Sequence, residues 1–169
     1  MEKIRYAIIG KSGSGKSEAG RILSVHYKCQ VAKTGAICRA VSQLLFGNED
    51  KRSTQRLDDA LTPLDGSIFL RAALRQIDLE QPFVIDSLRF DSDLRIAQEL
   101  ACTTIRIVCD DEARLHRLRS RGQSFNSNSD GKHRSEVELD AAATSYVVDN
   151  CGSLRDLEYN LLKAISTPK

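Results

Sequence analysis

Gly10-Lys11-Ser12-Gly13-Ser14-Gly15-Lys16-Ser17 matches the pattern G-x-x-x-x-G-K-[ST] position for position, which is the signature of a phosphate-binding loop, or P-loop. The glycines of this pattern let backbone N–H groups approach an anion closely. Residues 4–9 are mostly apolar and predict a buried strand before the loop, while apolar side chains at helical spacing over 18–26 predict a helix after it. Strand, glycine loop and helix N-terminus thus follow in the order that phosphate binding requires, whereas a chance glycine-rich turn would need no such context.

Two side chains of the P-loop predict a specific ligand. Lys16 would neutralise the β- and γ-phosphate oxygens of ATP, and the Ser17 hydroxyl would hold a Mg²⁺ ion that bridges them. We therefore expect ATP with Mg²⁺ as the cofactor. The motif residues expected to bind ATP are Gly10, Ser12, Gly13, Ser14, Gly15, Lys16 and Ser17.

Length, charge and cysteine content limit the classes of protein that the chain can form. Its 169 residues suffice for one α/β domain with a substantial core, and its net charge of +2 gives no global field for a nucleic-acid or membrane surface. The five cysteines form no C-x-x-C pair and no recognisable zinc spacing with the three histidines, which favours reduced thiols. The N-terminal apolar run is too short for a signal peptide or a membrane span. We expect a cytoplasmic monomer or homodimer without nucleic-acid or membrane partners.

Strand and helix patterns alternate along the chain. The pattern predicts further strands at 29–32, 83–85, 103–109 and 146–148. It predicts further helices at 36–46, 64–79, 92–101, 113–121, 135–143 and from 153 onward, and it leaves 48–63 as the least structured part, with room for one short helix. This alternation predicts an α/β, three-layer P-loop NTPase fold around a parallel sheet of about five strands. Ligands of such folds bind at the carboxyl ends of the strands.

An acidic run, Asp110-Asp111-Glu112, directly follows the strand at 103–109 and allows two interpretations. It could supply a Walker B acid that activates water for ATP hydrolysis. It could instead form the N-cap and first turn of the next helix, where carboxylates suit the helix dipole. We favour the cap, because Arg106 interrupts the apolar run and Asp86, at the end of another strand, is better placed to face a metal.

Arginines supply the positive charge that a transferring phosphoryl group requires. Arg39 and Arg89 follow the second and third strands, so they are expected to meet at one edge of the sheet and bind a second phosphate. Arg117 and Arg121 lie four residues apart and share one helix face beside a polar segment, which predicts phosphate contacts there. This segment, about 122–134, is predicted to be a mobile lid on a single domain of 1–169, with an acceptor-binding insertion at about 35–80.

Thr34-Gly35-Ala36-Ile37-Cys38-Arg39-Ala40 resembles the T-G-x-x-x-R-A segment of adenylate kinase-type nucleoside monophosphate kinases. Asp86-Ser87-Leu88-Arg89 resembles the D-G-x-x-R segment of that family, with Ser87 in place of glycine. The resemblance is closer to the phage-type deoxynucleoside monophosphate kinases. The further patches that carry it are Leu45-Phe46-Gly47, Asp50-Lys51-Arg52, His133-Arg134-Ser135-Glu136, Val148-Asp149-Asn150 and Gly152-Ser153-Leu154.

This resemblance implies a nucleoside monophosphate kinase-like fold and transfer of the ATP γ-phosphate to a (deoxy)nucleoside monophosphate, giving the diphosphate. It implies that Thr34 lies near the acceptor base, with Lys33 and Gly35 in the same site, and that Arg39 and Arg89 hold the acceptor phosphate. It places Asp86 beside Ser17 on the magnesium side and Asn150 beside the ATP adenine. The catalytic residues are then expected to be Lys16, Asp86, Arg89, Arg117 and Arg121.

Other P-loop functions compete with this prediction. A GTPase would need an N-K-x-D motif, which the sequence lacks, and an AAA-type or motor ATPase usually places a glutamate beside its strand-end aspartate, whereas Asp86 precedes Ser87. Dephospho-coenzyme A kinase or another small-molecule P-loop kinase stays open, although a hydroxyl acceptor needs a base and residues 32–35 offer no carboxylate. A non-catalytic ATP-binding regulatory module also stays open, and it would bind ATP without acceptor-dependent turnover.

Overall fold

The computed structural model of the protein describes residues 4–166. These residues form a five-stranded sheet with the strand order β2-β3-β1-β4-β5, and every pairing is parallel. The strands are β1 (Arg5–Ile9), β2 (Gln30–Ala32), β3 (Phe83–Ile85), β4 (Thr103–Val108) and β5 (Tyr146–Asp149). The predicted α/β fold with about five parallel strands is confirmed.

Helices cover both faces of the sheet. In chain order they are α1 (Lys16–Tyr27), α2 (Thr34–Phe46), α3 (Lys51–Leu61), α4 (Ile68–Leu74), α5 (Asp91–Glu99), α6 (Asp111–Ser120), α7 (Arg134–Val137) and α8 (Leu154–Ser166). A 3₁₀ turn at Asp130–Lys132 precedes α7. Across residues 4–166, no helix has the length and apolar character needed to cross a membrane.

Alternating side chains of the strands feed two separate apolar cores. On one face, Ala7 and Ile9 pack with Leu70 of α4 and Ala97 of α5. On the other face, a second group of fully buried side chains packs against α1 and α8; it includes Ile8, Leu23, Val84, Ile105 and Leu157. Burying each such side chain stabilises the fold by about 1.5–3 kcal/mol. The central strands therefore hold the carboxyl edge of the sheet in a fixed position.

Three helices differ in extent from the sequence prediction. The stretch 48–63, predicted to be the least structured, contains the eleven-residue helix α3, which begins after Asp50 because this side chain accepts a hydrogen bond from Ser53 N at 2.7 Å. The helix predicted at 64–79 is α4 alone. After α4 the chain runs to β2, where Asp78 pairs with Gln30 with N–H···O distances of 3.1 Å in both directions.

The helix predicted at 135–143 is also shorter than expected. Only α7 is helical, because the carbonyl groups of Leu139 and Ala142 turn toward β4 and accept hydrogen bonds from Arg106 Nη2 at 2.8 and 2.7 Å. The polar residue that interrupts the apolar pattern of β4 therefore fixes the course of the following loop. The cap interpretation of the acidic run is confirmed, since Asp110 Oδ1 accepts from Ala113 N at 2.7 Å at the start of α6.

Candidate active site

The P-loop connects β1 to α1 in the geometry that its glycines predict. Gly10 has φ 154° and Gly13 has φ 80°, which are backbone conformations that other residues rarely adopt. A Cβ atom on Gly10 would lie 2.6 Å from the carbonyl oxygen of Ile107, and one on Gly13 would lie 2.7 Å from that of Arg114. The glycines thus serve both the turn itself and the close packing of the loop against β4 and α6.

Lys16 is the first residue of α1 and turns back over the P-loop. Its Nζ donates to the carbonyl oxygens of Gly10 at 2.5 Å and of Lys11 at 2.8 Å. Burial lowers the pKa of this ammonium group to about 8, although the charge of Glu136 acts in the opposite direction. Lys16 is therefore a desolvated cation held directly over the loop, where it can transfer its hydrogen bonds to a phosphate.

Two side chains from other parts of the chain donate hydrogen bonds to the P-loop backbone. Asn150, at the end of β5, donates from Nδ2 to the carbonyl oxygen of Ser14 at 2.7 Å, and Arg114 of α6 donates to that of Ser12 at 2.9 Å. Asn150 is 5% exposed and lies outside the cavity described below. The amide of Asn150 thus supports the loop, and its place beside the ATP adenine stays a prediction.

One cavity of about 550 Å³ joins the P-loop to α2, α3, the end of β3 and the lid segment. Of the residues predicted to form the site, those that line it are Gly10, Ser12, Gly13, Lys16, Ser17, Gly35, Arg39, Asp86, Arg89 and Arg121. The predicted residues outside its lining are Ser14, Gly15, Lys33, Thr34, Arg117 and Asn150. A single cavity of this size is typical of a small-molecule site.

Arg39 and Arg89 converge as the sequence predicts. A Cβ atom on Gly35 would lie 3.2 Å from Arg39 Nη1 and 3.4 Å from Arg89 Nη2, so both guanidinium groups lie side by side over this glycine. Arg39 makes only a loose ion pair with Glu49, at 3.9 Å, and its side chain is 45% exposed. The donors of Arg39 are therefore available to an anion in the cavity.

Arg89 has a buried partner that sequence reasoning missed. Its Nη1 lies 3.2 Å from Oδ2 of Asp58 on α3, whose side chain is fully buried. The pKa of Asp58 is raised, because the effect of burial exceeds the opposite effect of the nearby Arg89 guanidinium. Asp58 thus fixes the orientation of Arg89 while the second guanidinium nitrogen faces Gly35. An acid inside a polar helix carries no distinctive sequence signal.

Two residues with oxygen atoms suited to a divalent cation, Ser17 and Asp86, line the same cavity. Asp86 follows β3 and accepts from Thr34 N at 3.1 Å through Oδ1. Asp86 packs against Gly20, which lies about one turn after Ser17 on α1. A Cβ atom added to Gly20 would lie 3.4 Å from the Cβ of Asp86. The pKa of Asp86 is raised, because the effect of burial exceeds the opposite effect of the hydrogen bond from Thr34. A hydroxyl and a carboxylate are ligands that Mg²⁺ prefers, so Ser17 and Asp86 fit the predicted metal role.

Three predicted site residues, Arg117, Thr34 and Lys33, lie outside the cavity lining. Arg117 donates to the carbonyl oxygens of Asn150 at 2.8 Å and Gly152 at 3.2 Å, so these donors hold the loop after β5. Thr34, the first residue of α2, is 2% exposed, and the side chain of Lys33 is exposed to solvent. Of the predicted pair Arg117 and Arg121, it is Arg121, the residue after α6, that lines the cavity.

A second polar cluster, formed by Ser12, Lys51 and Glu136, was not predicted. The Glu136 carboxylate accepts from Ser12 N at 2.8 Å and from Ser12 Oγ at 2.5 Å, and Lys51 Nζ lies 2.6 Å from Oε1. Burial would raise the pKa of Glu136, but the ammonium groups of Lys51 and Lys16 lower it to about 2. The only sequence signals were two short motifs quoted for their resemblance, D-K-R and H-R-S-E.

The predicted lid segment, about 122–134, contacts α6 and α3 through specific side chains. Phe125 lies under Arg114, with 5.4 Å between the guanidinium carbon and the ring centroid. Gln55 of α3 donates from Nε2 to the carbonyl oxygen of Asp130 at 2.9 Å. These contacts hold a segment with little apolar content beside the cavity, which its residues 122–125 help to line.

The cysteines are free thiols, as their spacing predicts, but two of them lie together. The ligand atoms of Cys109, Asp110 and Cys151 lie within 4.8 Å of one another, because the ends of β4 and β5 are adjacent. Both sulfurs already accept hydrogen bonds from protein donors. Arg117 Nη1 lies 3.3 Å from the first sulfur, and Asp110 N lies 3.4 Å from the second.

Comparison with known proteins extends this description. The model of the AAA domain family matches residues 7–139. This chain belongs to the AAA domain family. Its P-loop and β3 lie inside the matched region, and Ser87 still follows Asp86, where an ATPase of the AAA type usually carries a glutamate. No curated protein matches the sequence.

Solved structures share the fold over nearly the whole chain. TT1252 from Thermus thermophilus is 22% identical, with a TM-score of 0.62 over 98% of this chain and 97% of that one. A gluconokinase from Sinorhizobium meliloti is 17% identical, with a TM-score of 0.67 over 97% and 91%. A shikimate kinase from Aquifex aeolicus is 16% identical, with a TM-score of 0.61 over 96% of each chain. The AAA domain of this chain thus has the fold of P-loop kinases.

Proposed function

We propose that the protein is an ATP- and Mg²⁺-dependent phosphotransferase acting on a small molecule. The observation that carries this proposal is the placement of Arg39 and Arg89 over Gly35 in the same cavity as the P-loop and Lys16. One half of the cavity offers a nucleotide site and the other offers a second anion site. Phosphoryl transfer depends mainly on positioning and charge neutralisation, which two facing cationic groups supply.

We propose a nucleoside monophosphate, with deoxynucleotides included, as the acceptor. Two adjacent guanidinium groups bind a phosphate dianion bidentately, and a phosphate acceptor is already anionic and requires no base. The resemblance of the segments 34–40 and 86–89 supports the same acceptor class. We also propose the region about 35–80 as the acceptor-binding part of a single domain, and about 122–134 as its lid.

The residues of the chain would divide the reaction between them. Lys16 would neutralise charge on the transferring phosphate, and Arg121 would approach the same group from the lid. Arg39 and Arg89 would orient the acceptor phosphate in line with the γ-phosphate of ATP. Mg²⁺ held by Ser17 and Asp86 would supply further charge neutralisation on the phosphates. Closure of the lid would exclude water and so prevent hydrolysis of ATP.

The second candidate for the acceptor is a hydroxyl group, and the environment of Asp86 favours it. Burial raises the pKa of this carboxyl group, and within residues 4–166 only its Oδ1 accepts a protein hydrogen bond, so it could accept a proton from a hydroxyl. Dephospho-coenzyme A and polyol-type substrates belong to this class. The arginine pair would then bind a phosphate or carboxylate elsewhere on the same acceptor.

The test is a screen of purified protein with ATP and Mg²⁺ against nucleoside and deoxynucleoside monophosphates, dephospho-coenzyme A, gluconate and shikimate. We expect ADP and a nucleoside diphosphate from at least one monophosphate, detected by ion-exchange chromatography, and no product from the Lys16→Ala variant. Turnover with hydroxyl acceptors alone would favour the second candidate. ATP binding without turnover by any acceptor would refute the phosphotransferase proposal and favour a regulatory module.

A further inference from the structure

The carboxylate of Glu136 lies on the P-loop itself. It accepts from the backbone N–H of Ser12 at 2.8 Å and from the Ser12 hydroxyl at 2.5 Å. The side chain is only 5% exposed, and it comes from α7, 124 residues away in the sequence. A side chain anion therefore uses donors of the very loop whose motif is specific for phosphate.

Lys51 completes the surroundings of this carboxylate. Its Nζ lies 2.6 Å from Glu136 Oε1 and 3.3 Å from Ser12 Oγ, and its side chain is 16% exposed. The cationic groups of Lys16 and Lys51 keep Glu136 ionised at neutral pH, with a pKa of about 2 despite burial. The arrangement of a backbone N–H, a hydroxyl and ammonium groups around two anionic oxygens is the arrangement that binds a phosphate.

We propose that Glu136 occupies a phosphate position of the P-loop in the nucleotide-free protein, and that Lys51 and Ser12 exchange this carboxylate for a nucleotide phosphate on binding. The inference rests on the proposed nucleotide site and adds two residues to it. Lys51 is a phosphate-binding residue, and Glu136 competes with the ligand for the same donors.

Electrostatics makes the exchange obligatory. Two anions cannot share the Ser12 N–H and the Lys51 ammonium group within hydrogen-bond distance, because their repulsion in a desolvated cavity is large. Glu136 must therefore leave when a phosphate arrives. Since α7 directly follows the lid segment, this movement ties occupation of the P-loop to the position of the lid. The free energy needed to displace the carboxylate lowers the apparent affinity for nucleotide.

The decisive variant is Glu136→Gln, which removes the charge and keeps the shape. Its matched control is Asp140→Asn, because Asp140 also pairs with a P-loop lysine, Lys11, at 3.3 Å, but lies 45% exposed and outside the cavity. Isothermal titration calorimetry would measure binding of ATP and of inorganic tripolyphosphate, with and without Mg²⁺. Tripolyphosphate reports the phosphate site without any contribution from the base.

We expect Glu136→Gln to bind both ligands about tenfold more tightly than the wild type, and Lys51→Met to bind both about tenfold more weakly. Asp140→Asn should leave both affinities within about twofold, and thermal unfolding would verify that each variant is folded. Unchanged or weaker binding by folded Glu136→Gln would overturn the inference, as would full affinity in Lys51→Met. If Glu136→Gln binds more tightly while no acceptor is phosphorylated, the exchange stands and the proposed reaction falls. If turnover is normal and the affinities do not change, the proposed reaction stands and the exchange falls.

Discussion

Replacing Arg39 by alanine separates the acceptor half of the site from the ATP half. The side chain of Arg39 is 45% exposed and its only ion pair, with Glu49, spans 3.9 Å among the described residues. Exposed pairs of this kind contribute about 0.2–1 kcal/mol, so the free energy of unfolding should fall by less than about 1 kcal/mol. The fold and the P-loop are therefore preserved in this variant, and kinetic losses can be assigned to the acceptor site.

The expected loss is large in acceptor kinetics and small in ATP binding. Removing one charged phosphate contact should cost about 2–4 kcal/mol of transition-state stabilisation. This corresponds to a fall in kcat/KM for the acceptor of roughly 30- to 1000-fold. The dissociation constant for ATP without acceptor should stay within about twofold, since Lys16 and Ser12 belong to the other half of the cavity. ADP release would be followed in a coupled assay, and ATP binding by calorimetry.

Arg71→Ala is the matched control for this experiment. Arg71 has a similar exposure, 53%, and an ion pair with Asp65 at 3.2 Å, but it lies outside the cavity. Its substitution should leave both measurements at the wild-type level. If Arg39→Ala weakens ATP binding and leaves the acceptor kinetics unchanged, the assignment of the two halves is wrong.

Four further results are expected. Lys16→Ala should abolish most phosphoryl transfer in a folded protein, and near wild-type turnover would contradict the role of the P-loop. Arg89→Ala should cost about 3–5 kcal/mol of unfolding free energy in urea denaturation, because it leaves Asp58 buried and unpaired, and adding Asp58→Asn should recover most of the loss. Affinity for ATP should fall by about tenfold per pH unit above pH 8 or so, since phosphate binds the protonated form of Lys16, whose pKa is about 8; a flat profile up to pH 9.5 or so would count against that assignment. Amide exchange across 122–132 should slow when a bisubstrate analogue binds, and unchanged protection would argue against a lid.

Local sequence patterns determined the P-loop, most of the secondary structure and the fold class of the protein. The P-loop motif and the acidic N-cap at Asp110 depend on residues close in sequence, and each buried strand appears as a short apolar run, so these patterns are readable without a structure. The parallel sheet follows from the alternation of strands and helices. The meeting of Arg39 and Arg89 also followed, because both lie on the segments that leave β2 and β3, adjacent parallel strands whose carboxyl ends share one edge.

Long-range packing decided which side chains face the cavity. Asn150 and Arg117 follow the right strands, but only the packing of β5 against the P-loop and of α6 against the loop after β5 turns their donors onto carbonyl groups. Glu136 and Lys51 meet at Ser12 across sequence separations of 124 and 39 residues. No local hydrogen bond or periodicity encodes such a meeting, because its energy exists only after the sheet, α3 and α7 have packed around the loop.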